Sequence, residues 1–181
     1  MASLRKANAY SKRRVTPFTR VSRKRQKSFI KVVPPQSIVK FEMGKASLVN
    51  EGKLPHVLRV VATEQVQVRH NALESCRQYI NKKLDSELNG QYLFKVVPFP
   101  HHIQRENKML TGAGADRMQT GMQLSFGKSI GKAAILKSGK ELFIFRLPNE
   151  KAVQIARILI KQIDPKLPGG IRTDYEFLGS K

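Results

Sequence analysis

The chain has 181 residues, 40% of them hydrophobic, and 34 Lys and Arg against 13 Asp and Glu give a net charge of +21. Length and apolar content suit one core domain with appendages, while such charge opposes compaction by self-repulsion and calls for a polyanionic partner. No apolar run reaches the length of a membrane-spanning helix, no apolar signal core marks the N-terminus for secretion, and a single cysteine, Cys76, excludes an internal disulfide and suits a reducing cytosol.

The first segment is a basic arm. Residues 1–31 hold eleven basic side chains and no acidic ones, about half the net charge. Arg5, Lys12, Arg13, Arg14, Arg20, Arg23, Lys24, Arg25 and Lys27 are its candidate RNA contacts, since guanidinium groups grip phosphate bidentately. Tyr10, Phe18 and Phe29 are interleaved among them and can stack on bases. Pro34-Pro35 separates this arm, residues 1–36, from a single domain over 37–181.

Within that domain, residues 38–43 read as a strand ended by Gly44, and residues 57–62 as a second. Thr63 reads as the N-cap of a helix running to Leu84, with Val66, Leu73, Cys76, Ile80 and Leu84 on its buried face. Gly90 ends a turn before a strand over 92–99. After a long loop at 100–131, residues 132–136 form a short strand. Ser138-Gly139 turns it back onto an antiparallel partner over 141–147. Asn149 opens a second helix, with Pro148 in its first turn and a stripe of Val153, Ala156, Leu159, Ile160 and Ile163. Pro165 and Pro168 stop it, and residues 171–178 form a last strand. The expected fold class is α+β: a two-layer sandwich of mixed, mainly antiparallel sheet with two helices on one face.

The segment 101–131 fits no helix or strand template and holds five of the twelve glycines and three of the five methionines. A long structureless stretch inside a compact domain usually serves a function. Its candidate RNA contacts are the cations Arg105, Lys108, Arg117 and Lys128 and the hydrogen-bonding groups of Gln104, Asn107, Gln119 and Gln123. His101 and His102 can stack or donate hydrogen bonds, Met109 and Met118 can pack on bases, and Gly112 and Gly114 let backbone amides approach phosphate. Such pieces suit irregular folded RNA better than a regular DNA groove.

Chemical motifs in this stretch fail on spacing. Gly127-Lys128-Ser129 lacks the first glycine of a phosphate-binding loop, since Met122 occupies that position. Arg117 stands where a dinucleotide fingerprint needs its third glycine. Neighbouring His101 and His102 point to opposite sides of an extended chain, which rarely serves one metal. No nucleophile accompanies them, so no catalytic residue, metal or cofactor is expected. His56, His70 and Cys76 read as structural residues.

The run from His101 to Ala134, HHIQRENKMLTGAGADRMQTGMQLSFGKSIGKAA, resembles the signature of a universal large-subunit ribosomal protein family, known as protein sixteen in bacteria and ten-e in archaea and eukaryotes. The similarity extends to Phe41-Glu42-Met43-Gly44, to Asn71-Ala72-Leu73-Glu74 and to Pro17-Phe18-Thr19-Arg20, which is similar to a Pro-Tyr-Thr-Arg of archaeal members. Departures occur at Pro34-Pro35-Gln36-Ser37, at Lys45 and at Gln123-Leu124. The resemblance implies a hammerhead-type α+β fold and a non-enzymatic, cytoplasmic ribosomal component, with an archaeal source. It implies partners in large-subunit rRNA near 5S rRNA, in tRNA and in neighbouring ribosomal proteins, with no membrane and no homo-oligomer. It further implies that the central loop faces the tRNA corridor near the peptidyl transferase centre and supports late subunit assembly. The alternative is a standalone RNA-binding or RNA-modifying factor.

Overall fold

The computed structural model describes Tyr10, Pro17, Thr19, residues 33–106 and residues 127–179. In chain order the elements are β1 (Glu42–Gly44), α1 (Ser47–Asn50), β2 (His56–Ala62), β3 (Val66–Arg69), α2 (His70–Leu88), β4 (Leu93–Val96), β5 (His102–Glu106), β6 (Lys128–Leu136), β7 (Glu141–Leu147), α3 (Glu150–Ile163), a 3-10 turn (Asp164–Lys166) and β8 (Ile171–Phe177). They form a five-stranded sheet, β1-β4-β7-β2-β8, and a three-stranded sheet, β3-β6-β5. Every ladder between described strands is antiparallel. The class is α+β, as expected.

The two sheets share one bent ribbon. Val61 opposes Glu141 on β7, and Val66 opposes Leu136 on β6. Residues 62–65 therefore face residues 137–140, four against four, with no change of register across the corner. The corner is stitched by backbone bonds from Ala62 N to Lys140 O (2.9 Å) and from Gly139 N to Ala62 O (2.8 Å). Ser138 Oγ donates to Thr63 O at 2.7 Å. The start of β8 closes the outside, where Thr63 Oγ1 donates to Gly170 O at 2.8 Å. A β-carbon on Gly169 would meet Val66 Cγ1 at 2.7 Å, so only glycine lets the chain pass so close.

Three expectations are corrected by this ribbon. Residues 66–69 are strand β3, not the first turns of a helix; Thr63 serves the corner, and the N-cap of α2 is Arg69 with ψ 147°. Val66 and Val68 share one face and are buried, and their stiff branched side chains suit a strand. The chain does not fold back at Ser138-Gly139 either, because β6 pairs with β3 and β5 while β7 pairs with β2 and β4. And the first strand is only Glu42–Gly44, since residues 37–39 dock on α2 instead.

The remaining patterns hold. Leu73, Cys76, Ile80 and Leu84 are buried on α2, which ends at Asn89 in the left-handed region (φ 47°). Asn149 is the N-cap of α3, Pro148 precedes it rather than entering the helix, and Val153, Ala156, Leu159, Ile160 and Ile163 are buried. One apolar cluster draws on both sheets and both long helices. At its centre Phe94 stacks on Phe145, with ring centroids 4.8 Å apart, and tilts against Phe143 at 5.6 Å. Rings paired in this way contribute beyond the area they bury. Phe145→Ala should cost about 3–5 kcal/mol through lost burial and an unfilled cavity. Urea unfolding of the two proteins side by side measures this, and a loss under about 1 kcal/mol would show the cluster is not the centre of the core.

Candidate nucleic-acid interface

The stretch read as a loop has a structured root. Residues 102–106 and 128–136 are strands β5 and β6, paired from His102–Ala133 to Glu106–Lys128, with a bulge at Gln104/Arg105. The expectation of a structureless 100–131 is thus corrected at both ends. Alternation was hidden because this sheet buries polar side chains. Cross-strand partners share a face, so Gln67, Arg69, His102 and Gln104 lie on the face opposite Val66, Val68, Ala134 and Leu136. Gln67, His102 and Gln104 are all buried, and Gln104 Nε2 donates to Gln67 Oε1 at 3.4 Å.

This burial changes what several candidates can do. His102 and Gln104 face protein rather than solvent, whereas Lys128 is exposed and His101 and Arg105 are half-buried. His101 and His102 diverge, with His101 Nδ1 3.1 Å from Phe99 O. Burial, reinforced by His101 and Arg105, pushes the His102 imidazole down to about 4. Burial also lowers the Arg105 guanidinium, against its usual range. Asn107, Lys108, Met109, Gly112, Gly114, Arg117, Met118, Gln119 and Gln123 lie outside the described residues. So do the arm candidates Arg5, Lys12, Arg13, Arg14, Arg20, Arg23, Lys24, Arg25 and Lys27.

The root of the arm is pinned beside the same sheet. Ser37 N donates to His70 Nδ1 at 3.1 Å, and Ser37 Oγ lies 2.7 Å from that nitrogen. The Glu74 carboxylate takes two bonds from Arg77, at 2.8 and 2.6 Å, and one from the Val39 backbone. These bonds, the Arg77 pair first, hold Glu74 below the ordinary carboxylate range. His70, expected to be an ordinary structural residue, thus joins arm to core. Burial first, then Arg69 and Lys132, lowers its pKa, which favours the neutral ring that accepts the hydrogen bond from Ser37 N. Gly131 on β6 leaves room for it, since a β-carbon there would meet His70 Nε2 at 2.7 Å. Tyr10 reaches this corner too, with the Arg69 guanidinium 5.6 Å from its ring centroid. The sequence signal for Arg69 and His70 was the Val-Gln-Val-Arg alternation, legible only once the strand is recognised.

The described part of the site is therefore one small sheet carrying the β5–β6 ribbon, with the Ser37–His70 junction beside it and no catalytic arrangement among the described residues. Among them, no helix is long and apolar enough to cross a membrane.

His102 has a folded value below its ordinary 6.5, so the unfolded chain takes up the proton first as pH falls. Stability should therefore drop between about pH 6.5 and pH 4. His102→Gln should flatten that part of the profile in denaturant titrations. An unchanged slope would mean the histidine is solvated in the folded state.

Comparison with known proteins agrees with this arrangement. The family model described as Ribosomal protein L16p/L10e matches residues 17–173. The large ribosomal subunit protein uL16 of Sulfolobus acidocaldarius is 42% identical over 155 residues, 83% of this chain and 84% of that protein. Those of Hyperthermus butylicus and Thermofilum pendens are 39% and 36% identical, covering 90% and 91% of this chain and 87% and 92% of their own. These relatives are archaeal, in line with the archaeal source expected from the resemblance. A family match over residues 17–173, with relatives up to 42% identical across most of both chains, means that the chain belongs to the ribosomal protein L16p/L10e family and is a ribosomal structural component, not an enzyme.

Proposed function

We propose that this protein binds large-subunit rRNA through its basic arm, residues 1–36, and presents the tip of its β5–β6 finger to tRNA near the peptidyl transferase centre. Residues 37–181 act as one domain that holds both extensions. On this reading the arm cations engage rRNA phosphates near 5S rRNA, and the loop cations and amides from His101 to Lys128 line the tRNA corridor. The protein thereby supports tRNA positioning and a late step of subunit assembly. The observation that carries the reading is the common root: the β5–β6 ribbon and the Ser37–His70 junction sit on the same three-stranded sheet. A rigid root lets the chemistry carried beyond it act at a defined place.

Each phosphate contact contributes a slope of roughly −0.7 to −0.9 to the dependence of log affinity on log salt. Deleting residues 1–31 removes eleven cations. It should weaken binding to large-subunit rRNA and make that slope shallower by several contacts. Filter binding across a salt series measures both, and incorporation into subunits at the full-length level would count against the arm.

Deleting residues 108–122 should leave thermal unfolding of the free protein within a few degrees of the parent. Subunits assembled with it should bind tRNA poorly. A collapse of the melting transition would make the segment part of the core instead.

A further inference from the structure

The face formed by α3 and β8 has a composition that the arm and finger do not account for. Three of the large hydrophobic side chains exposed among the described residues lie on these two elements: Ile158 (57%), Tyr175 (43%) and Phe177 (59%). The rings are held in place rather than loose. His56 stacks on Tyr175 with centroids 6.0 Å apart and tilts against Phe177 at 5.0 Å. The Tyr175 hydroxyl lies 2.8 Å from His56 Nδ1. Behind Phe177 the chain passes so close that any side chain at Gly179 would overlap the ring. The result is a fixed aromatic shelf on the edge of the five-stranded sheet.

Cations border the shelf. The Arg157 guanidinium lies 5.8 Å from the Tyr175 ring centroid. Lys151, Arg157, Ile158 and Lys161 are exposed on α3, on the side away from its Val153, Ala156, Ile160 and Ile163 stripe. None of these three cations has a carboxylate within ion-pair distance among the described residues. Alternation along β8 turns its own carboxylates to the other face, where Glu176 meets Arg59 at 2.7 Å and Asp174 meets Arg172 at 2.9 Å. Among the described residues, the aromatic face thus has Arg157 beside preset rings with no carboxylate within ion-pair distance.

We propose that this α3–β8 face is a second RNA-contact surface, on which unstacked bases rest against Tyr175 and Phe177 while Lys151, Arg157 and Lys161 hold the adjoining phosphates. Charge complementarity selects RNA as the occupant. An apolar protein partner would have to bury three cations unpaired, which is costly. Preset aromatic rings flanked by cations are the arrangement that binds single-stranded nucleic acid by stacking with little sequence preference. The inference rests on the reading that the chain binds RNA, but it concerns a face that shares no residue with the arm or finger.

The test uses the full-length protein and a single-stranded RNA of roughly ten nucleotides carrying 2-aminopurine. The parent protein should quench the fluorescent base on binding. Phe177→Leu and Arg157→Gln should each abolish most of the quench and weaken affinity about tenfold, with melting temperatures near the parent. Arg157 is exposed, so its variant keeps the test valid if Phe177→Leu folds poorly. Equal quench in parent and Arg157→Gln overturns the proposal and leaves RNA binding by the extensions intact. No binding by the parent overturns that broader reading and this one with it. In purified large subunits, ultraviolet cross-linking should yield nucleotide adducts on Tyr175 or Phe177. Adducts there to another protein's peptide would overturn the assignment to RNA.

Discussion

The structure depends on keeping an antiparallel ribbon paired on both sides of a corner. Residues 56–61 pair with 141–147, with a bulge at Val60/Val61, and residues 66–69 pair with 133–136, on either side of a corner at 62–65 and 137–140. A flat ribbon of that length would expose one face over half its extent. Bending it lets Val60 and Phe143 on one side of the corner, and Val68 and Ala134 on the other, enter the same apolar cluster with the stripe of α2. The bend leaves backbone groups unpaired, and burying them unsatisfied would be expensive. Ser138, Thr63 and the Gly169-Gly170 pair supply the short side chains and close approach that satisfy them. A slip of one residue would turn each of these faces inside out.

From that corner the functional geometry follows. The three-stranded sheet lies beyond it, with one face in the core and the other polar. The strands that reach furthest from the corner, β5 and the start of β6, carry the finger. His70 opens α2 directly after β3, so the junction with the arm is fixed by the same strand that fixes the finger. Two extensions far apart in sequence are thereby given one origin.

Much of this was legible in the sequence, and the failures share a cause. Helix stripes such as Leu73–Leu84 and Val153–Ile163 read correctly because one face meets oil and the other water. The β3 strand did not, because Gln67 on its second face is buried as deeply as its valines. Alternation of polarity signals a strand only where the polar side is solvated. The same holds for β5, where His102 and Gln104 are buried and Arg105 is half-buried. The Ser138-Gly139 turn was read as a hairpin because local composition shows that a chain bends, not which strand it then meets. Among the candidate contacts, residue type identified His101 to Lys128 as a polar segment. Burial then separated the part that builds the finger, His102 and Gln104, from the part that is presented, Lys128.

Charge is divided in a way that fits this architecture. Residues 33–106 and 127–179 carry 20 basic and 12 acidic side chains, while the other 54 residues carry 14 basic ones and a single acid, Asp116. The body thus bears a modest excess that a packed core can tolerate. The arm, with eleven basic and no acidic side chains in residues 1–31, bears a density that would oppose folding if it were spread over the sheets. Its contacts with a polyanion are of the kind that releases counterions and weakens steeply with salt. The shelf proposed at Tyr175 and Phe177 would add stacking to three cations, so its salt dependence should be shallower than that of the arm's eleven. On the proposed reading the two surfaces respond differently to ionic strength, and raising the salt should release the arm from RNA before the α3–β8 face.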